Sequence, residues 1–365
     1  MTDSLLVETA DEIMAAVCTD EALRAAEHDG FAPAAWGAVA GAGLPWISVP
    51  EGLGGEGGDL ADALAVLRVA GRRGLPLPLA ETGILAGWLR SASGLAVSRV
   101  PATVASGDGL TWQDGTVRGV AKLVGWGRSA SHVVALVPAA AEGGAVAASG
   151  SVVAVFAAAD LRVEPHVNVA GEPRDTVYFN GAAPLTSAPA GPGVSTGTLR
   201  RRGALTRVTL MAGAVRGILD ITVRYTGERH QFGRPIGRFP GVQQHVVHIA
   251  QQVATLEMAA DMLSGLAERA PSLAGSSVAF QIAAAKSVAA DAATIATAAA
   301  HQAHGAMGAT QEYPLHNLTR RMWAWTREYG TGARSADEVG GLVAASGADA
   351  LWPLIASGGA TLARM

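Results

Sequence analysis

The residues best suited to chemistry lie in one short basic stretch, residues 224–237. It holds three arginines, and Gly233, Pro235 and Gly237 prevent a helix from continuing through it. We therefore expect an exposed corner that presents guanidinium groups beside the aromatic ring of Phe232. Because a guanidinium fork can hold two phosphate oxygens at once, the stretch predicts an anion-binding corner.

Two long amphipathic helices are predicted to position this corner. Apolar residues recur at steps of three and four on both sides of it, which is the period of one helix face. Such faces pack against other helices, so the corner joins two members of a helical bundle. The upstream face carries Leu205, Val208, Met211, Val215, Ile218, Thr222 and Tyr225, and the downstream face carries Val242, Val246, Ile249, Val253, Leu256, Ala260 and Leu263.

The stretch Arg-x-x-Phe-Gly-Arg-Pro-Ile-Gly at 229–237, preceded by Tyr-Thr-x-Glu, resembles a turn of the flavin-dependent acyl-CoA dehydrogenase family. Val-Pro-Glu-Gly-Leu-Gly-Gly at 49–55 and Gln-Ala-His-Gly-Ala-Met-Gly-Ala-Thr-Gln-Glu-Tyr-Pro at 302–314 support the resemblance. The order and spacing of the three motifs fit nearly the whole chain. The resemblance implies an α+β protein with an N-terminal helical domain, a middle β-barrel or sandwich and a C-terminal four-helix bundle.

The resemblance also implies FAD as cofactor and gives the motif residues a role. In the family the arginine of the turn, here Arg229, reaches across a subunit interface to the pyrophosphate of an FAD bound mainly by the neighbouring subunit. A Gln-x-x-Gly-Gly turn meets the adenosine part of that flavin, and it corresponds to Gln302, Gly305 and Ala306, with Ala306 where a second glycine is usual. The resemblance assigns three more residues to cofactor binding: Gln231, Phe232 and Thr331.

The catalytic base departs from the family pattern. Members remove an α-proton from an acyl thioester with a glutamate, usually in Tyr-Glu-Gly-Thr, while the β-hydride moves to the flavin. Here Arg-Glu-Tyr-Gly-Thr at 327–331 places Tyr329 at that position, and tyrosine is a poor base near neutral pH. Glu328 serves as base only if the register shifts by one residue; otherwise it is a solvated residue at the end of a bundle helix. Other members carry the glutamate near 203–206, where this chain has no acid.

The middle of the chain lacks two further family motifs. Members carry Thr-Glu-Pro and then Gly-Ser-Asp in a loop that binds the flavin and substrate of the same subunit, and residues 97–109 contain no equivalent. The Trp-Ile-Thr expected beside the flavin ring reads Val124-Gly125-Trp126. The lost motifs thus serve the subunit's own flavin, and the retained ones serve a neighbour's. This asymmetry resembles the degenerate partner subunit of heteromeric acyl-CoA dehydrogenases, some of which shorten steroid side chains.

Periodicity by itself predicts domains in the order α, β, α, at residues 1–95, 96–195 and 196–365. A glycine-rich loop at 50–58 lies in the first domain and lacks the Gly-Lys-Ser of a nucleotide P-loop. The predicted helices are 11–17, 20–27, 33–42 and 59–72 in the first domain and 199–229, 239–269, 276–301 and 313–328 in the last.

Short apolar runs separated by Pro, Gly and Ser are typical of a small β-barrel or sandwich in the middle domain. A hairpin is predicted around Asp114-Gly115, because Asp-Gly favours the left-handed turn that joins two antiparallel strands. Buried strands are predicted at 132–137 and 151–156, with another strand at 176–181. Residues 188–197 are predicted to be the linker into the last domain.

Composition argues against several other classes of protein. The 365 residues are 49% hydrophobic and 16% charged, which suffices for a large core. The net charge of −4, with basic residues scattered outside the corner, argues against nucleic acid as a partner. The single cysteine, Cys18, excludes an intrachain disulfide and a cysteine-based zinc cluster. No metal is expected at the histidine pairs, which lack a carboxylate in register: His245 with His248, and His301 with His304.

We expect neither a secretory signal nor a membrane span, and hence a cytoplasmic location. The first eight residues lack a basic segment followed by an apolar run. The alanine-rich stretch 276–300 is interrupted by Lys286 and Asp291 and reads as a packed helix.

Three functions remain open at this point. The first is a non-catalytic subunit that completes the flavin site of a homologous catalytic chain. The second is a self-sufficient homo-oligomeric acyl-CoA dehydrogenase that uses Glu328 or a base not identified in the sequence. The third is a relic of the fold used for binding or scaffolding, because a fold does not fix a function. For the first two, the resemblance implies an acyl-CoA substrate and an electron-transfer flavoprotein or similar acceptor.

Overall fold

The computed structural model describes residues 4–107, 109–138 and 150–359. The chain divides into two compact units: unit 1 comprises Met1–Val66 and Pro76–Gly203, and unit 2 comprises Leu67–Leu75 and Ala204–Met365. The domain boundaries expected after residues 95 and 195 stay predictions.

Helices form the beginning of the chain, as predicted. The first helix starts well before residue 11, because Leu6, Ala10 and Met14 extend the four-residue apolar period toward the N-terminus. Thr19 caps the second helix, since its hydroxyl accepts a hydrogen bond from the Ala22 amide at 3.2 Å. The α-helices are α1 (Ser4–Val17), α2 (Asp20–Asp29), α3 (Pro33–Gly41), α4 (Leu60–Arg73) and α5 (Trp88–Ala92).

A buried π-helix, Ala80–Gly87, precedes α5 and was not predicted from the sequence. It passes so close to the loop before it that a Cβ on Gly83 would lie 1.6 Å from the carbonyl oxygen of Pro45. Only glycine permits this approach. The π-helix also carries a buried acid, Glu81, which is 3% exposed.

The β region of unit 1 is a sandwich of two four-stranded sheets around one apolar cluster, in agreement with the predicted sandwich. The hairpin at Asp114-Gly115 is present, with left-handed φ values of 49° and 75° at its two central residues. One sheet has the order β1-β4-β5-β8 and the other β2-β3-β7-β6. The strands are β1 (Ala102–Ser106), β2 (Leu110–Gln113), β3 (Thr116–Gly125), β4 (His132–Pro138), β5 (Ser151–Ala157), β6 (Arg162–Glu164), β7 (Arg174–Ala182) and β8 (Thr186–Pro189).

The three predicted strands of the middle region are confirmed within β4, β5 and β7. Strand β8 was missed, and its last two residues fall in the predicted linker. It lies at a sheet edge and pairs through its backbone with β5, so its largely exposed side chains carry no apolar signal.

The four predicted bundle helices are confirmed, and two shorter helices follow them. The helix predicted to reach residue 328 ends at Trp325. Residues 326–329 form a turn, and Tyr329 and Gly330 leave it with left-handed φ values of 56° and 115°. The helices are α6 (Thr196–Glu228), α7 (Pro240–Arg269), α8 (Ser276–His304), α9 (Leu315–Trp325), α10 (Gly332–Ser346) and α11 (Leu351–Ala356).

Close helix packing in unit 2 depends on glycine and alanine. A Cβ on Gly213 of α6 would lie 2.0 Å from the carbonyl oxygen of Arg68, so the two backbones meet directly. Helix α8 is long and apolar enough to cross a membrane by length and composition, with half of its most apolar window buried. It packs against α7 and α10, and many of its buried residues are alanines, including Ala289, Ala293 and Ala296.

Candidate functional site

The basic corner between α6 and α7 is a tight, exposed hairpin formed by β9 (His230–Gln231) and β10 (Arg234–Pro235). Phe232 and Gly233 occupy its tip with left-handed φ values of 52° and 79°. The Phe232 side chain is 92% exposed, which is a large apolar surface to leave in water. The corner predicted from the sequence is therefore present and points outward.

Arg229 stands at the base of this hairpin, directly after α6. Its amide donates to the Tyr225 carbonyl at 2.8 Å, and its carbonyl accepts from the Ile236 amide at 2.8 Å, so its backbone is fixed. The side chain is exposed, and within the described residues no hydrogen bond or ion pair engages its guanidinium. By contrast, the Arg234 guanidinium lies 4.2 Å from the centroid of the Phe239 ring. Arg229 is thus a positioned cation with its donors available.

The Gln302 turn is also exposed at the end of α8. Gly305 ends the helix with a left-handed φ of 59°, and nothing lies within 4 Å of where its Cβ would stand. Gln302 and Ala306 are exposed on either side of it. A ligand can therefore approach the backbone here, and the Ala306 methyl group lies on the surface instead of filling a gap in the fold.

An aromatic cluster connects the two turns. The Tyr225 ring stacks on His304 with a centroid distance of 4.5 Å and an interplanar angle of 19°. Tyr313 packs against both, at 5.4 Å from Tyr225 and 5.1 Å from His304. The Tyr225 hydroxyl donates to the His304 carbonyl at 3.3 Å. Burial lowers the pKa of His304 and raises that of Tyr313.

Glu328, the alternative catalytic base, is not a solvated residue at a helix end, and that expectation was wrong. It lies in the turn after α9, where Arg207 Nε donates to its Oε2 at 2.6 Å. The two side chains are only 2% and 14% exposed. A buried guanidinium needs a paired carboxylate, so Glu328 has a structural role as the partner of Arg207.

Tyr329 and Lys286 complete this buried cluster. The Arg207 guanidinium lies 5.1 Å from the centroid of the Tyr329 ring. Lys286 is fully buried and donates from Nζ to the Trp325 carbonyl oxygen. Burial lowers the pKa of Lys286 to about 7, the Glu328 charge acts to raise it, and the Arg207 charge lowers it further. We call Arg207, Lys286, Glu328 and Tyr329 the bundle ion cluster.

Sequence reasoning gave Arg207 and Lys286 no role. Lys286 could have been noticed in the sequence, because it is a single lysine within the alanine-rich stretch of α8. Arg207 could be found only from its neighbours: it lies between Leu205 and Val208 of the apolar face, in a segment of α6 that is buried all round.

Thr331 and the histidine pair His301 and His304 have partners within the structure. The Thr331 hydroxyl caps α10 by accepting from the Arg334 amide at 3.1 Å. His301 Nε2 lies 3.1 Å from the Thr319 hydroxyl, and His304 Nδ1 lies 2.8 Å from the Ala300 carbonyl oxygen. In the part of the chain that the structure describes, no group of three or more His, Cys, Asp or Glu could hold a metal.

Buried charges also surround Val124-Gly125-Trp126 in unit 1. Val124 and Trp126 are each 3% exposed, and the Trp126 amide donates to the Pro173 carbonyl at 3.0 Å. Glu81 Oε1 and Arg174 Nη1 lie 3.2 and 3.7 Å from where a Cβ on Gly125 would stand.

Arg174 also pairs with Glu172, with Nη2 to Oε2 at 3.0 Å. We call Glu81, Glu172 and Arg174 the sandwich charge cluster. Like the bundle ion cluster, it contains a buried ion pair, that of Arg174 with Glu172.

These observations test how far the chain fits FAD. The exposed arginine, the projecting Phe232 and the open backbone at Gly305 suit a phosphate-bearing dinucleotide approached from outside unit 2. The segment at Val124-Gly125-Trp126 does not suit a flavin ring, because its side chains are already buried within unit 1. The residues present therefore fit the outward-facing half of a flavin site and not the inward-facing half.

Comparison with known proteins assigns both ends of the chain to one family. Residues 2–93 match "Acyl-CoA dehydrogenase, N-terminal domain", and residues 196–338 match "Acyl-CoA dehydrogenase, C-terminal domain". The acyl-CoA dehydrogenase FadE27 of Mycobacterium tuberculosis is 31% identical over 264 residues, which are 65% of this chain and 68% of FadE27. FadE34 of the same organism is 30% identical over 290 residues, 78% of this chain but only 38% of FadE34. This chain thus spans well under half of FadE34.

A solved structure shares the fold over nearly the whole chain. It is the ChsE4-ChsE5 complex from Mycobacterium tuberculosis, with a TM-score of 0.79 and 23% sequence identity. The match covers 95% of this chain and 99% of that one. FAD is the cofactor of the family.

Proposed function

The chain belongs to the acyl-CoA dehydrogenase family, and we propose that it is a partner subunit that completes the FAD site of a separate catalytic chain. The observation that carries the proposal is the contrast between Arg229 and Glu328. The first is exposed and fixed in its backbone, and no described residue engages its guanidinium, whereas the second is 14% exposed and ion-paired with the buried Arg207.

In this proposal the chain's own residues bind and orient the cofactor of a neighbour. Arg229 contacts the pyrophosphate of FAD through its fork, and Phe232 covers an apolar part of the assembly. Gln302 and the backbone at Gly305 contact the adenosine part. Bound FAD supplies the acceptor for a hydride from the acyl-CoA thioester, and the catalytic chain supplies the base.

The clusters of buried charge support a non-catalytic role for this chain. A base must come within hydrogen-bond reach of the proton that it removes. Glu328 Oε2 already accepts a hydrogen bond from Arg207 at 2.6 Å, so a self-sufficient enzyme would have to break a buried ion pair to use it. The segment that would border the chain's own flavin, Val124-Gly125-Trp126, likewise lies against the sandwich charge cluster.

Exposed apolar side chains on α7 and α8 support an assembly. These two helices are neighbours in unit 2, and large apolar residues face outward on both. Surfaces of this kind mark sites where another protein binds. The residues are Val247 (51% exposed), Met258 (73%), Met262 (37%), Val288 (40%) and Ile295 (44%).

We further propose a homologous acyl-CoA dehydrogenase chain as the partner. The relatives are consistent with this, since the structural neighbour ChsE4-ChsE5 is itself a complex of two named chains. An acyl-CoA substrate, an electron-transfer flavoprotein or similar acceptor, and a cytoplasmic location complete the proposal.

Co-expression with a family member that retains Thr-Glu-Pro and a catalytic glutamate tests the proposed function. We expect a hetero-oligomer that contains FAD and oxidises an acyl-CoA. Glu328→Gln weakens the ion pair with Arg207, so turnover is compared per assembled, FAD-containing hetero-oligomer. On that basis Glu328→Gln in this chain should change turnover by less than ~3-fold, whereas loss of the partner's glutamate should cost at least ~10²-fold. If Glu328→Gln abolishes turnover while FAD content and assembly stay intact, this chain is the catalyst and the proposal is wrong.

A further inference from the structure

The cluster of Tyr225, His304 and Tyr313 lies between the two exposed turns. Tyr225 is one helical turn before Arg229 and accepts the Arg229 amide at its carbonyl, at 2.8 Å. His304 immediately precedes Gly305, whose amide bonds back to the His301 carbonyl. The stack of Tyr225 on His304 therefore joins the ends of α6 and α8 at the points where the chain leaves each helix.

The hydrogen bonds of His304 define which ring nitrogen carries the proton. Nδ1 lies 2.8 Å from the Ala300 carbonyl oxygen, and because a carbonyl oxygen only accepts, Nδ1 must carry the hydrogen. Nε2 is then a lone-pair acceptor. It is buried and has no hydrogen-bond partner within the described residues, in a side chain that is 4% exposed.

We propose that neutral His304 is a positioning residue, which holds the Arg229 turn and the Gln302 turn in a fixed arrangement for one dinucleotide, and that its protonation releases them. This inference rests on the proposed function, because it concerns the same outward-facing FAD site. Protonation at Nε2 would place a charge and an unsatisfied N–H donor inside a stacked, buried cluster.

Several titratable and charged groups face this cluster. Burial is the main cause of the low pKa of His304; the hydrogen bond to Ala300 opposes it, and His301 lowers the pKa further. His301 in turn interacts with His316, the histidine of α9. Arg224, Tyr225 and Glu228 on α6 act on Tyr313.

The sign of the pH effect follows from the direction of the His304 pKa. The folded-state pKa lies below the usual value of ~6.5, so the neutral ring is the form that the fold favours. Its contribution is complete above pH ~6.5 and is lost as the pH falls through the folded-state pKa. FAD binding by the assembly should weaken over the same range.

The test is the FAD dissociation constant of the co-expressed hetero-oligomer as a function of pH, with wild type, His304→Phe and His301→Gln in parallel. Below the His304 pKa, wild-type affinity should fall by up to about tenfold per pH unit, the limit for one proton. His304→Phe keeps a stacked ring but cannot titrate. Its FAD affinity should therefore not show the fall that wild type shows below the His304 pKa. His301→Gln, one helical turn away, should keep the fall in affinity, with its midpoint moved to slightly higher pH because the His301 charge no longer lowers the pKa of His304.

Tyr225→Phe is the second variant, because it keeps the stack and loses only the hydroxyl that bonds the His304 carbonyl. It should weaken FAD binding severalfold, about the value of one neutral hydrogen bond, while keeping the pH dependence. Parallel profiles for wild type and His304→Phe, or an unchanged affinity in Tyr225→Phe, would overturn the role of the cluster. A wild-type hetero-oligomer without FAD would instead contradict the proposed function, so the two failures are distinguishable.

Discussion

Two arginines of the same helical region have opposite surroundings. Arg207, within α6, is 2% exposed and bound to Glu328. Arg229, just past the end of α6, is exposed, and its guanidinium makes no hydrogen bond or ion pair with the described residues. The two charges therefore have different roles. A buried cation must be paired for the fold to be stable, and an exposed cation with a fixed backbone remains available to a ligand.

The same difference separates the two parts of the flavin motif set. The residues that the proposed function directs toward a neighbour, Arg229, Phe232 and Gln302, lie on the surface of unit 2. The positions that would serve the chain's own chemistry lie among paired charges. Glu328 and Tyr329 belong to the bundle ion cluster, and Val124-Gly125-Trp126 lies beside the sandwich charge cluster. In the proposed function, the chain presents the outward half of a shared site on its surface, and the positions of the inward half lie in its interior.

The largest effect is expected from breaking the buried pair. Arg207→Met should lower the free energy of unfolding by about 3–5 kcal/mol, because it leaves the Glu328 carboxylate buried without its guanidinium. Replacing both residues, by Arg207→Met with Glu328→Leu, should recover most of the loss. Denaturant titration of the purified wild type, single variant and double variant measures the three free energies of unfolding.

Arg216 provides the matched control on the same helix. It holds Glu257 with two nitrogens at 2.8 and 3.0 Å, but the pair is 37% and 35% exposed. Arg216→Met should therefore cost less than about 1 kcal/mol. Equal losses at Arg207 and Arg216 would show that burial does not separate the two arginines as we describe.

The next largest effect concerns the exposed arginine. Arg229→Ala should weaken FAD binding by the hetero-oligomer by roughly tenfold to a hundredfold, the loss of a charge-assisted bidentate contact of about 1.5–3 kcal/mol. Stability of the chain should change by less than about 0.5 kcal/mol, as for other surface substitutions. Arg229→Lys should lie between wild type and alanine, because it keeps the charge and loses the fork. Unchanged FAD affinity in Arg229→Ala would mean that Arg229 faces solvent and does not contact FAD.

A smaller, pH-dependent effect is expected at Lys286. Its folded-state pKa of about 7 lies below the unfolded value, so above pH 7 the unfolded chain binds more protons than the folded one. The free energy of unfolding should rise with pH above 7 by up to about 1.4 kcal/mol per pH unit from this group. Lys286→Met should remove that rise, and the exposed Lys122→Met should keep it. Identical slopes in wild type and Lys286→Met would contradict the buried, partly neutral lysine.

Much of the fold could be predicted from the sequence, because its signals are local. The seven-residue apolar faces around Leu205 and Val242 identified α6 and α7, and Asp114-Gly115 identified the hairpin. The π-helix at Ala80–Gly87 was missed, since its burial depends on a close approach to Pro45 that no local pattern encodes. Strand β8 was missed because its pairing uses backbone atoms.

The candidate site was predictable only in its exposed half. Glycine, proline and arginine at the corner determine an outward turn whatever packs around it, and the structure places Arg229 and Phe232 there. The surroundings of Glu328 depend on Arg207, which is 121 residues away in the chain, and a contact over that distance leaves no local trace. The approach of Glu81 to Gly125 in the sandwich charge cluster was hidden for the same reason.

The most direct test of the account is the FAD content of this chain purified alone. A partner subunit that has built the inward half of its flavin site into its core should retain little FAD, with weak visible flavin absorbance after gel filtration. It should acquire FAD only when assembled with a catalytic chain. Equimolar FAD retained by the chain alone through gel filtration would contradict the partner-subunit proposal and favour a homo-oligomeric enzyme.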